Sequence, residues 1–105
     1  MKAEEFNTII NKQVETCINL LSSKEEEYAS GEDRLHNFKQ AASLMQTSPE
    51  KALGGMMAKH TISVYDMVFN DEPYSMDKWD EKITDSINYL LLLKAVLMET
   101  PFEVE

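Results

Sequence analysis

The clearest chemical feature of this chain is a trio of polar residues on a predicted helix near its end. Glu81, Asp85 and Asn88 are four and three residues apart, a spacing that places them on one face of a helix. Mg²⁺ prefers oxygen ligands, and one or two carboxylates together with substrate phosphates are enough to hold it. The trio predicts a face that meets a ligand, and an ordinary solvated face is the alternative.

A second group of acids can complete a cation site. Glu26 and Glu27 stand near the end of the first predicted helix. Their carboxylates could converge with those of Glu81 and Asp85 on Mg²⁺. A run of glutamates is also typical of a charged surface exposed to water, and the sequence leaves both interpretations open.

Lys59 and Ser63 form a polar strip one turn apart on the third predicted helix. An ammonium group and a hydroxyl can both bind a phosphate. Alternatively, Lys59 forms an ion pair with Asp66 or Asp85 that orients two helices. His60 lies within an apolar stripe, where a core histidine is more common than a catalytic base. No second histidine stands at ligand spacing, so zinc is not expected.

The start of the second predicted helix carries a candidate anion site. Arg34 is the only arginine of the chain, and Asn37 follows it by three residues. A guanidinium group beside the free amides of a helix N-terminus is suited to a phosphate, while Tyr28 could stack on a base. In the alternative interpretation, Arg34 pairs with a glutamate and Asn37 bonds to a turn.

Four predicted helices with short connections must position these residues. Apolar residues recur every three or four positions over about 3–29, 33–46, 49–69 and 76–99. Ser48 followed by Pro49, and later Ser75, are signals for helix starts. We expect one all-α domain over residues 1–105, an antiparallel four-helix bundle whose tail, 101–105, is frayed.

The third and fourth helices are apolar on two opposite faces each, which predicts self-association. A monomer rarely leaves a large apolar patch exposed. We therefore expect a homodimer or a tetramer built as a dimer of dimers. Its predicted interface contains Ile62, Phe69, Leu92 and Val96, with the Asp85 face nearby.

Two adjacent glycines, Gly54 and Gly55, lie inside the third predicted helix. Each costs about 1 kcal/mol relative to alanine in a helix interior. Either another helix backbone packs within their width, or the helix begins only after them and the loop that contains them approaches a ligand.

The composition narrows the classes of partner. With 19 acidic and 10 basic residues the net charge is −9, which repels nucleic-acid backbones and anionic membranes. No apolar run approaches the ~18 residues that span a bilayer, and no signal peptide is visible, so a cytoplasmic protein is expected. The single cysteine, Cys17, is in line with Ile10 and Val14 and is expected to be a buried thiol.

Several of these residues resemble, in order and spacing, a family of small phage and prophage proteins. The resemblance is to the nucleotide-modification-associated domain and, more distantly, to all-α NTP pyrophosphatases of the MazG type. It covers Glu27 to Leu97 and is carried by Glu27-Tyr28, Asn37-Phe38, Met56-Met57 with Lys59, and the series Asp85, Asn88, Tyr89. It implies an antiparallel helical bundle, subunit association and a nucleotide site where paired acids hold Mg²⁺.

Three functions are therefore expected as alternatives. The first is binding of a phosphorylated nucleotide near a subunit interface, which sequesters a host nucleotide signal. The second is Mg²⁺-dependent cleavage of a nucleoside triphosphate to pyrophosphate. The third is an acidic inhibitor of a host defence protein. Each places the protein in the cytoplasm of a phage-infected or prophage-bearing bacterium. The predicted nucleotide ligands are Tyr28, Arg34, Asn37, Lys59, Ser63, Asp85 and Asn88.

Overall fold

The computed structural model of the protein describes residues 1–27 and 33–99. Within these ranges the chain forms four helices and no strand. They are α1 (Ala3–Glu27), α2 (His36–Met45), α3 (Pro49–Phe69) and α4 (Met76–Glu99). The prediction of an all-α fold is confirmed. No helix in the described ranges is long and apolar enough to cross a membrane.

Some predicted features fall outside the described residues. These are Tyr28, the side chains of Glu26 and Glu27, and the tail 101–105. By its internal contacts the chain divides into two units, Met1–Glu32 and Asp33–Glu105. The single domain expected from the sequence stays a prediction.

The helix starts follow local sequence signals. Pro49 is the first residue of α3, and Ser48 before it has an extended backbone but makes no side-chain cap. At α4 the Ser75 hydroxyl accepts a hydrogen bond of 3.2 Å from the Lys78 amide. The second helix begins at His36, later than predicted, because Asp33 accepts a 2.9 Å hydrogen bond from the Leu35 amide and so holds the chain in a turn.

In the first unit, α1 carries the lone cysteine. Cys17 is buried, as predicted, and its Sγ accepts a hydrogen bond of 3.4 Å from Gln13 Nε2. Phe6, Ile10 and Val14, which precede it in the same stripe, are about half exposed.

The second unit contains a core shared by its three helices. Helix α2 packs on α3, and α3 packs on α4. Leu35, Phe38, Leu53 and Val96 are buried together. The partly buried side chains packed against them are Met56, Met57, Tyr89, Leu92 and Leu93.

This core corrects the predicted interface on α4. Val96 is 2% exposed and belongs to the core, so it is not left for a second subunit, while Leu92 is partly buried against that core. The face of α4 that is buried also includes Thr84 and Asn88, whereas Leu90 on the other side of the helix is 57% exposed. Both faces of α4 are partly apolar, and its own sequence therefore did not decide which one packs.

The two glycines do not accommodate a helix of this chain. A Cβ atom added at Gly54 or Gly55 would meet no atom within 4 Å. Close packing of another helix against them is therefore wrong for the described residues. The apolar face predicted on the outer side of α3 is exposed, since Ile62 and Phe69 are 58% and 77% accessible.

Candidate functional site

A histidine and an aspartate meet where α3 packs on α4. His60 Nδ1 lies 3.7 Å from Asp85 Oδ2, and the two side chains are 20% and 29% exposed. This distance is longer than a hydrogen bond, although a protonated imidazole would attract the carboxylate. Their low exposure shields both side chains partly from water. Because they are not hydrogen-bonded to each other, both keep hydrogen-bonding capacity for a ligand.

The next turn of α4 adds an aromatic ring and an amide. The rings of His60 and Tyr89 have centroids 4.7 Å apart and are tilted by 32°. Asn88 is 6% exposed, and its Oδ1 is buried without a hydrogen-bond partner. An unsatisfied buried acceptor costs about 1–3 kcal/mol. We call His60, Asp85, Asn88 and Tyr89 the polar cluster.

Helical periodicity explains why these residues gather. Asn88 and Tyr89 follow Asp85 by three and four residues, so all three share one side of α4. His60 follows Met56 and Met57 on α3 by one turn, and those methionines pack against the core. Contact of the two helices at the core therefore brings His60 to the level of Asp85.

Two other predicted phosphate ligands lie near the polar cluster in sequence. Lys59 is exposed and Ser63 is half-buried, and both belong to α3 with His60. Among the described residues Lys59 makes no ion pair, and Asp85 lies beside His60 instead. In the structure, Asp85 therefore contacts His60, the residue next to Lys59, and not Lys59 itself.

The remaining predicted ligands lie at the start of α2. Arg34 is half-buried in the turn before the helix, and Asn37 is exposed in its first turn. Nearby, the Lys39 ammonium donates hydrogen bonds to Asp33, at 2.5 Å, and to Glu99 at the end of α4. The hydrogen bond from Lys39 lowers the pKa of Asp33, and the two carboxylates raise the pKa of Lys39.

The predicted cation site remains a prediction. Among the described side chains, those of residues 1–23 and 33–99, no three of histidine, cysteine, aspartate or glutamate come together as metal ligands. Glu81 is exposed, and Asp85 faces His60. The acids that would complete the set, Glu26 and Glu27, are outside the described side chains.

The sequence pattern predicts His60 as a core residue and does not mark Tyr89 as a ligand. The available signal was the position of Tyr89 directly after Asn88 and the polar nature of His60 within an apolar stripe. The contact itself joins residues far apart in the chain, which spacing within one helix does not reveal.

No family model matches the chain, and neither a curated protein nor a solved structure shows significant similarity to it. The resemblance to nucleotide-modification-associated and MazG-type proteins accordingly stays a prediction.

Proposed function

We propose that the protein binds a phosphorylated nucleotide at the polar cluster between α3 and α4. The observation that carries this proposal is the contact of half-buried His60 with Asp85 and the Tyr89 ring. It combines a titratable ring, a carboxylate and an aromatic surface in a partly dry setting, where polar contacts are stronger than in water. Such a combination suits a ligand with both a ring and polar edges.

Each member of the polar cluster has a proposed role. The Asp85 carboxylate accepts hydrogen bonds from the amino groups of a base, and the partly buried Tyr89 ring contacts the base. The buried Asn88 Oδ1, which lacks a partner, accepts a further donor. Lys59 and Ser63 are the proposed phosphate contacts, together with a ring N–H of His60.

The arrangement of the bundle is part of the proposal. Three residues connect α2 to α3, and six connect α3 to α4. Short connections favour antiparallel neighbours, which supports an antiparallel bundle. We further propose that the protein acts in the cytoplasm of a phage-infected or prophage-bearing bacterium, where nucleotide binding sequesters a host signal.

Calorimetry and thermal unfolding with nucleoside mono-, di-, tri- and cyclic phosphates test the proposal. A ligand at one hundred times its dissociation constant stabilises the folded state by about 2.7 kcal/mol, which raises the Tm of a domain this size by roughly 10 °C or more. Asp85→Asn should weaken binding roughly tenfold, since the hydrogen bonds to this side chain lose their charged acceptor.

Asp80→Asn is the matched control, because Asp80 is exposed on the same helix. The proposal fails if no nucleotide at millimolar concentration shifts the Tm or releases heat. It also fails if Asp85→Asn and Asp80→Asn bind alike. Pyrophosphate release with and without EDTA separates binding from the predicted Mg²⁺-dependent cleavage.

A further inference from the structure

The outer face of α3 has the spacing of a helix-pairing surface. Gly55, Ala58, Ile62, Tyr65 and Phe69 follow one another at intervals of three, four, three and four residues, the heptad pattern of two helices that pack side by side. All five are exposed, and the last three are 58%, 61% and 77% accessible. We call these five residues the α3 seam.

We propose that the α3 seam pairs with the same seam of a second copy of this chain, with the two helices antiparallel. The proposal goes beyond nucleotide binding and does not depend on it. A two-fold axis between Ile62 and Tyr65 generates the contact, as expected of an isologous dimer.

The sizes of the side chains favour the antiparallel orientation. With this axis, Ile62 packs on the partner's Tyr65, and small Ala58 faces the partner's Phe69. Large and small residues then alternate across the contact, which allows close packing. A parallel pair would place Phe69 on the partner's Phe69 and Ala58 on the partner's Ala58, which leaves one layer crowded and the other hollow.

Charge favours the same orientation. Lys59 and Asp66 flank the α3 seam one heptad apart, both are exposed, and neither forms an ion pair with the described side chains of residues 1–23 and 33–99. The antiparallel pair brings Lys59 near the partner's Asp66, and symmetry makes this contact twice. A parallel pair sets Lys59 beside glycine and Asp66 beside threonine. Two ion pairs would offset part of the repulsion between chains of charge −9.

The glycines fit this contact. In the proposed register Gly55 lies opposite the partner's chain just beyond Phe69, where α3 has ended. The missing Cβ leaves room for that segment, while in its own chain a Cβ at Gly55 would meet nothing within 4 Å. A residue that weakens the helix by about 1 kcal/mol thereby has a reason to be there.

Sedimentation equilibrium without nucleotide tests the contact, since Lys59 is also a proposed phosphate ligand. The mass should rise with concentration from 12.1 kDa toward twice that value. Ile62→Glu should keep the chain at 12.1 kDa with an unchanged circular dichroism spectrum. Leu90→Glu is the control, because Leu90 is equally exposed on α4 and should leave the dimer intact.

Charge reversal tests the orientation. Lys59→Glu alone, or Asp66→Lys alone, should raise the dissociation constant of the dimer roughly tenfold, because each single change sets two pairs of like charges together. The double variant should restore it. A chain that stays at 12.1 kDa up to concentrations on the order of 1 mM, dissociation by Leu90→Glu, or a double variant as weak as the single ones would overturn the proposal.

Discussion

The Lys39 side chain links the turn before α2 to the C-terminal end of α4. Its ammonium donates to Asp33 before α2 and to Glu99 at the end of α4. Because all three groups are well exposed, solvent screens these ion pairs and their contribution to stability is small. These ion pairs nevertheless predict how the stability of the fold depends on pH.

We expect Asp33 to stabilise the fold above its unfolded pKa of about 3.9. The hydrogen bond from Lys39 lowers the pKa of Asp33 in the folded protein, so this stability is lost as the pH falls through the lowered folded value. Asp33→Asn keeps an acceptor for the Leu35 amide but removes the charge. Its Tm should therefore fall less than that of the parent chain between about pH 5 and pH 2.

Asp80→Asn serves as the control for this titration, since Asp80 is exposed and makes no ion pair among the described residues. Parallel curves of Tm against pH for the Asp33→Asn variant and the parent chain would contradict the assignment. At the alkaline end the sign is opposite, because the raised pKa of Lys39 makes its contribution disappear only as the pH rises through that value.

At the scale of the helix, α3 combines an inner face that packs with an outer face that does not. Leu53 and Met67 are buried on the inner face, whereas Tyr65 and Phe69 stack with ring centroids 6.2 Å apart on the outer one. The glycine pair lies at the N-terminal end of this outer surface. A helix built in this way is stable through one face and leaves the other available for contact.

Gly54→Ala should stabilise the protein by about 0.5–1 kcal/mol, because alanine restricts the unfolded chain and strengthens the helix. The added Cβ meets no atom within 4 Å, so no steric cost is expected. Urea unfolding measures the effect as a higher midpoint at an unchanged slope. Ala95→Gly at an exposed position of α4 is the matched control and should lose a similar amount. A lower midpoint for Gly54→Ala would show that the glycine is required within the chain.

At the scale of the molecule, charge sets the behaviour toward other molecules. A net charge of −9 and an isoelectric point near 4.6 make chains repel one another at neutral pH. We expect light scattering to rise steeply as the pH approaches 4.6, because the repulsion then vanishes.

We also expect no retention on duplex DNA at low salt. Retention that weakens with added salt would contradict this, since that dependence is typical of phosphate contacts.

Local signals in the sequence determined the helices. The apolar spacing and the start signals at Pro49 and Ser75 predicted α3 and α4 with the ends that the structure has. These signals work because helix periodicity and capping depend on residues a few positions apart. The α2 start was predicted too early, since the competing turn at Asp33 uses a side-chain hydrogen bond.

Only the tertiary structure decided which faces pack and which polar groups meet. The sequence marked Asp85 and Asn88 as candidate ligands, but it placed Leu92 and Val96 in a subunit interface, whereas Val96 is buried in the core of the chain and Leu92 packs against it. Likewise, the sequence offered Lys59 as an ion-pair partner of Asp85, whereas the neighbouring His60 contacts Asp85 in the structure. Burial and pairing depend on the rotation of one helix against another, and α4 has partly apolar residues on both faces. Its own periodicity was compatible with either rotation, and the fit of α3 against α4 chose between them.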